Sequence, residues 1–167
     1  PSSSWRACAA GSRRSARRSR LVLRGHVHAG QATAAAVGVI ESEAEIDEGV
    51  FFNPGATGLA FHGARGEVTG TLVRGARSEG EGDAVHAEHA QGLVLRGLFL
   101  EASARTALTV RGGRVRAVGL EVRSCVEAGF LAEQGGALEL QAPAVQRSLG
   151  PALLARDEGM LHARFGR

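Results

Sequence analysis

The sequence lacks lysine and tyrosine altogether and has only one tryptophan, two cysteines and three aspartates. Cys8 and Cys125 lie in unrelated settings, so they indicate neither a disulfide framework nor a metal site. With no Tyr and a single Trp, few side chains could stack on sugar rings. No run of 18 apolar residues occurs, and we therefore expect no transmembrane segment.

Positive charge is concentrated at one end of the chain. The net charge is +3, but residues 1–20 carry six Arg and no acidic residue, so subtracting these six charges leaves −3 for the remainder. The segment has no hydrophobic period and is rich in Ser, Arg and Ala, which predicts a disordered basic tail over 1–20. An arm for nucleic acid or anionic lipid is the alternative. The mildly acidic remainder is not expected to bind nucleic acid.

A repeat of 22 or 23 residues dominates the second half of the chain. A period of this length indicates stacked structural units. Within each unit, three short stretches alternate apolar and polar residues, which is typical of strands with one face turned inward. The equivalent inward positions are Leu93, Val115, Leu138 and Leu161 in one set, and Leu108, Phe130 and Leu153 in another.

We therefore predict an all-β fold, a right-handed parallel β-helix (solenoid) over residues 21–167. It would have about six coils of 22–26 residues with three short strands per coil. Helical repeats would need apolar residues spaced three and four positions apart, and leucine-rich repeats would need an Asn or Cys at a fixed position. The sequence has neither feature, so both alternatives are disfavoured. The earlier coils follow the same repeat if Val68 is equivalent to Leu93. The residues in excess of the 22–23 residue period then lie in 74–83, which we predict to be an enlarged loop. Because it starts with Pro and stops as another repeat opens, we expect the chain to be a fragment of a longer protein.

Two local features follow from the same register. Gly112-Gly113 and Gly135-Gly136 recur at one repeat position, which predicts turns with positive φ. Leu131 and Leu154 point outward in adjacent coils, and we expect a covering segment over them.

The stretches 92–113 and 114–136 resemble the parallel β-helix repeats of the pectate lyase-like superfamily, the pectin lyase fold. The resemblance covers roughly residues 21–167 and is specific for the fold. Families of this fold include polysaccharide lyases, glycoside hydrolases, epimerases and non-catalytic surface proteins. The resemblance implies several Asp residues around calcium in a lyase and clustered Asp in a hydrolase. Here Asp47, Asp83 and Asp157 fall in different coils.

Outward residues of successive coils are predicted to stack in three columns. Signs of charge alternate along each column, so the first interpretation is a solvated ladder that holds the coils in register. The columns are His62, Glu88, Arg111, Glu133 and Arg156; then Thr69, Val94, Arg116, Glu139 and His162; then Glu101, Arg123 and Gln146.

The functional interpretation of the first column is a polar groove beside the 74–83 loop. An imidazole, a carboxylate and an arginine could perform acid–base chemistry on a sugar acid. Two imidazoles and a carboxylate (His62, His86 and Glu88) could also hold a metal ion. We nevertheless predict no cofactor and no metal. The candidate catalytic residues are His62, His86, Glu88 and Arg111, and the candidate substrate-binding residues are Arg111, Glu133 and Arg156.

The sequence therefore favours a non-catalytic β-helix scaffold or binding segment of a bacterial exported or surface protein, located outside the cell or at its surface. The bacterial origin is suggested by the Arg-only, Ala- and Gly-rich composition. Its partners would be polysaccharide or another protein chain, bound through a sheet face or an open coil end. One alternative is a carbohydrate-active enzyme, a polysaccharide lyase or glycoside hydrolase, acting on acidic polysaccharide. The other is a self-associating structural element that pairs through exposed strand edges.

Overall fold

The computed structural model describes residues 19–25, 28–30, 35–76 and 82–166, and these residues form 17 strands joined by turns. The predicted basic tail lies outside the described residues up to position 18, as does the middle of the 74–83 loop. No helix in the described part of the chain has the length and apolar character of a membrane span. The strands are β1 (Arg20–Leu23), β2 (His28–Gly30), β3 (Val37–Ile40), β4 (Glu43–Asp47), β5 (Val50–Phe52), β6 (Leu59–His62), β7 (Arg65–Thr69), β8 (Leu72–Arg74), β9 (Val85–Arg96), β10 (Phe99–Glu101), β11 (Thr106–Val118), β12 (Glu121–Arg123), β13 (Ala128–Glu133), β14 (Ala137–Gln141), β15 (Ala144–Gln146), β16 (Leu153–Ala155) and β17 (Met160–Arg164).

The strands stack as a parallel β-solenoid of about six turns, which confirms the predicted fold class. Face 1 contains β3, β6, the first half of β9, the first half of β11, β13 and β16. Face 2 contains β1, β4, β7, the second halves of β9 and β11, β14 and β17. Face 3 contains β2, β5, β8, β10, β12 and β15. Because β9 and β11 continue around the corner, faces 1 and 2 form one 11-stranded sheet, and face 3 is a separate six-stranded sheet.

The core is a set of apolar columns inside the three faces. Leu108 pairs with Phe130, and Phe130 with Leu153, as the repeat predicts. Val115 likewise pairs with both Leu93 and Leu138. Coils about 4.8 Å apart bring like side chains into contact, and each fully buried Leu or Phe contributes roughly 1.5–3 kcal/mol. In the last described coil the inward Leu153 is only half-buried, because among the described residues the preceding coil alone covers it.

The predicted register is wrong at one point in the earlier coils. Val68 pairs with Leu95, not with Leu93, and Thr69 pairs with Arg96. Glu67 therefore takes the place of Thr69 in the second column, opposite Val94. Leu93 and Leu95 both face inward, so a slip of two residues leaves the apolar alternation unchanged and the sequence cannot tell the two registers apart.

Each corner of the solenoid is a stack of residues in the left-handed region, and corner 1 has two such residues in a row in the later coils, as at Gly112 and Gly113. This conformation bends the chain from one face to the next within a single residue, and its N–H bonds to the next coil, as when Gly97 N donates to Val118 O at 2.9 Å. Positive φ is confirmed at Gly112, Gly113 and Gly135 but not at Gly136. Corner 1, between faces 1 and 2, contains Glu41, Gly63, His89, Gly112, Gln134 and Asp157; corner 2 contains Glu48, Gly70, Gly97, Gly119 and Ala142; corner 3 contains Asn53, Gly75, Ala102, Ser124 and Arg147.

Candidate functional site

The five residues of the first predicted column do stack along face 1. His62 pairs with Glu88, Glu88 with Arg111, and Arg111 with Glu133 in the strand register. Arg156 completes the series, because its guanidinium Nη2 lies 2.6 Å from a carboxylate oxygen of Glu133. We call these five residues the face-1 column.

Glu133 is the electrostatic centre of the column. Only 2% of its side chain is exposed, and it accepts a hydrogen bond from Arg111 Nε at 2.5 Å and another from Arg156 Nε at 2.7 Å. Burial alone would favour the neutral acid. The two arginine hydrogen bonds and the two positive charges outweigh that effect, so the pKa of Glu133 lies below its usual range. The carboxylate is therefore a charged bridge between three coils.

A second ion pair extends this network toward corner 3. Arg105 Nε donates to Glu127 Oε2 at 2.8 Å, and this hydrogen bond is the main cause of the raised pKa of Arg105. Glu127 also lies 3.6 Å from Arg156.

Leu131 is fully buried although it faces outward, and Leu154 is half-buried. Leu131 is thus shielded from solvent and Leu154 only partly, while the covering segment stays a prediction.

The other end of the face-1 column pairs an imidazole with a carboxylate. His62 Nδ1 and Glu88 Oε2 are 3.0 Å apart, and His89 Nδ1 is 3.9 Å from Glu88 Oε1. The hydrogen bond with His62 is the main reason why the pKa of Glu88 is lowered, and the charges of the neighbouring histidines add to it. Glu88 is therefore an ionised carboxylate, which suits ion binding better than proton donation.

His86 does not join this group. It lies in a separate outward column of face 1, opposite Ala60 and Thr109. Its Nδ1 is 2.8 Å from Asp83 Oδ2, and only 1% of the Asp83 side chain is exposed. Asp83 Oδ1 also accepts a hydrogen bond from the Thr106 backbone N–H at 3.2 Å. His86 and Asp83 therefore join the end of the 74–83 loop to the sheet. Of the three residues considered as metal ligands, the structure groups His62 and Glu88 with His89 and not with His86.

His89 is the residue that sequence reasoning missed. Strict alternation after the outward Glu88 would turn it inward, but its φ of 51° places it at corner 1 with its side chain exposed. Its imidazole packs over Gly112 of the next coil, where an added Cβ would lie 2.9 Å from His89 Cδ2. The sequence contained one indication that position 89 is a corner: Gly112 occupies the equivalent position one coil later.

The remaining outward columns stack in register from coil to coil. Arg74, Glu101, Arg123 and Gln146 are in register on face 3, with Arg74 Nε 3.2 Å from Glu101 Oε2. Arg123 also lies over the Phe99 ring at 4.9 Å. On face 2, Arg116, Glu139 and His162 stack as predicted.

The three aspartates lie far apart, in agreement with their placement in different coils by the sequence. Asp47 accepts a hydrogen bond from Thr69 on face 2 at 2.5 Å, Asp83 is buried beside His86, and Asp157 is exposed at corner 1. No set of aspartates in the described residues could therefore surround calcium or act as paired acids.

Shallow depressions follow corner 1 along the solenoid axis. One of about 240 Å³ is lined by Glu41, Ser42, Glu43, Gly63, Arg65 and Gln91. A second and more open one is lined by Gln91, Gly92, Gly113, Arg114, Gly135, Ala137 and Met160. Because the glycines have no side chains that project from the corner, an extended chain could lie along it.

No protein-family model, no curated protein and no solved structure matches the chain. The likeness to pectate lyase-like repeats rests on the repeat pattern of the sequence itself.

Proposed function

We propose that this solenoid is a non-catalytic scaffold or binding segment. The observation that carries the proposal is the pairing of its outward polar groups: the face-1 residues that could perform chemistry are bonded to other side chains of the solenoid, mostly in neighbouring coils. Glu133 is held by two arginines, and His86 is held by Asp83. Such pairs stiffen the stack and fix its register.

Acid–base chemistry finds little support on face 1. A general acid at neutral pH needs a carboxyl group with a raised pKa, whereas those of Glu88 and Glu133 are lowered. These two carboxylates belong to coils separated by the coil of Arg111, which lies between them in the register. The enzyme alternative would have to use them as bases or as binding groups only.

The finer assignment is also a proposal. We place the chain with the pectate lyase-like superfamily, among its non-catalytic surface proteins of bacterial origin, exported from the cell. The three-strand coil and the repeat pattern of 92–136 support this placement. The shallow corner-1 depressions would then accept an extended polymer such as a polysaccharide, with Arg65 and Arg114 offering positive charge to it.

A depolymerisation assay separates the scaffold from the enzyme alternative. The wild-type chain is incubated with a panel of uronic-acid polymers, with and without calcium, and new reducing ends and unsaturated products are measured. We expect no turnover. Turnover that is abolished in Glu88→Gln but retained in Glu121→Gln, which removes an exposed carboxylate on face 3, would overturn the scaffold proposal.

Self-association stays a prediction with its own measurement. In the described residues β15, β16 and β17 each pair with the preceding coil only, so the other edge of each strand has no described partner. Sedimentation equilibrium over a hundredfold concentration range would show a rising mass if these edges pair. A constant monomer mass would rule the alternative out.

A further inference from the structure

His62, Glu88 and His89 form a compact group of possible metal ligands at the end of face 1. We call it the His–Glu cluster. His62 and Glu88 are register neighbours on β6 and β9, so the stacking of the coils fixes their separation. His89 follows Glu88 directly, and its left-handed backbone at corner 1 brings its ring to the same side.

The distances within the His–Glu cluster approach those of a metal site. One ligand atom from each residue can be chosen so that all three lie within 4.8 Å of one another. The imidazole rings of His62 and His89 meet edge to face, with their centroids 5.6 Å apart. Ligand atoms around a tetrahedral zinc ion are about 3.3 Å apart, given bonds of about 2.0–2.1 Å. To bind such an ion, the ligand atoms would have to approach one another by up to about 1.5 Å, the difference between 4.8 Å and 3.3 Å.

Glu88 is available because its other register neighbour is engaged elsewhere. Arg111 directs its guanidinium to Glu133, and the described partners of Glu88 are His62 and His89. The side chains of His62, Glu88 and His89 are 50%, 38% and 66% exposed, so an ion can reach them from solvent.

We propose that the His–Glu cluster binds a divalent transition-metal ion of the zinc type. Two imidazole nitrogens and one carboxylate oxygen suit Zn²⁺ and its neighbours better than calcium or magnesium, which prefer oxygen ligands alone. Three protein ligands leave at least one coordination position for water or for a donor atom of another molecule. The ion would also join two successive coils, through His62 on one and through Glu88 and His89 on the next.

The test uses the full 167-residue chain carrying His26→Ala and His28→Ala, which removes a second pair of closely spaced histidines. Isothermal titration with zinc chloride is expected to show one ion per chain. His62→Ala and His89→Gly are each expected to weaken binding at least tenfold, and Glu88→Gln to weaken it as well. Glycine is used at position 89 because it adopts the left-handed backbone without strain. Zinc should raise the unfolding temperature of the parent chain and lose this effect in the three variants.

The matched control is His162→Ala, which removes an exposed histidine of face 2 and should leave zinc affinity unchanged. Circular dichroism verifies that each variant keeps its strands. Absence of zinc binding by the parent chain at millimolar ion would overturn the proposal. So would an affinity that is unchanged in both His62→Ala and His89→Gly, since the ion would then be held elsewhere, for example by Cys8.

Discussion

The carboxylate of Glu133 and the guanidinium of Arg156 are 23 positions apart in the sequence and 2.6 Å apart in the structure. Arg111 binds the opposite oxygen of the same carboxylate from the preceding coil. One nearly buried negative charge thus connects three coils, whereas exposed ladder pairs such as Arg74 and Glu101 connect two. The stability of the second half of the solenoid should depend on it.

Replacing Glu133 by Gln should lower the free energy of unfolding by about 2 kcal/mol. The change keeps the shape but leaves Arg111 and Arg156 without their counter-charge in a partly buried setting, which costs less than a fully buried unpaired charge. Urea denaturation monitored by circular dichroism measures the change. Glu121→Gln removes an exposed pair with Arg123 and should cost at most about 0.5 kcal/mol. Equal decreases in the free energy of unfolding in the two variants would show that the Glu133 bridge contributes no more than an exposed ion pair.

The lowered pKa of Glu133 predicts an acid-sensitive fold. A group whose pKa is lower in the folded than in the unfolded state stabilises the fold fully above the unfolded value, about 4.3 for Glu, and loses that contribution as the pH falls through the folded value. The stability of the wild type should therefore fall between pH 6 and pH 3 more steeply than that of Glu133→Gln. Parallel pH profiles would contradict the prediction.

Much of the fold was predictable because one period specifies many contacts at once. Equivalence of Leu108, Phe130 and Leu153 determines the register of face 1, and the face-1 column follows from it. The register failed at Val68, where the apolar alternation allowed either Leu93 or Leu95. A period of two residues cannot reveal a slip of two.

The candidate site was only partly predictable, for a different reason. The pattern placed Glu88 beside His62 and Arg111, but it could not show that Arg111 would turn to Glu133. It also assigned His86 to the site and omitted His89. Side-chain direction at a corner depends on one backbone angle, and for His89 the sequence indicates that angle only through the equivalence of this position with Gly112 one coil later.

Introducing a charge into the core tests the inward register. Phe130→Asp should cost more than about 4 kcal/mol, because it removes a fully buried ring and places a carboxylate among apolar side chains. Several coils should unfold together, which circular dichroism would report as loss of strand signal. Ile40→Asp is the matched control, an exposed apolar residue of face 1 that should tolerate the change within about 0.5 kcal/mol. Tolerance of Asp at position 130 would mean that the side chain does not face the core.

The left-handed corners predict a stabilising substitution. Ala102 occupies corner 3 with a φ of 57°, and its N–H donates to Arg123 O at 2.9 Å. An L residue in this region is strained by about 1–2 kcal/mol, whereas glycine escapes that strain at an entropic cost of about 0.5–1 kcal/mol. Ala102→Gly should therefore raise the free energy of unfolding by up to about 1 kcal/mol, or roughly 2–4 °C in the unfolding temperature. Ala144→Gly, at an exposed strand position of β15 without positive φ, should instead destabilise by about 0.5–1 kcal/mol. Differential scanning calorimetry on the two variants distinguishes them by sign, and destabilisation by both would show that the corner at 102 is not held in the left-handed conformation in solution.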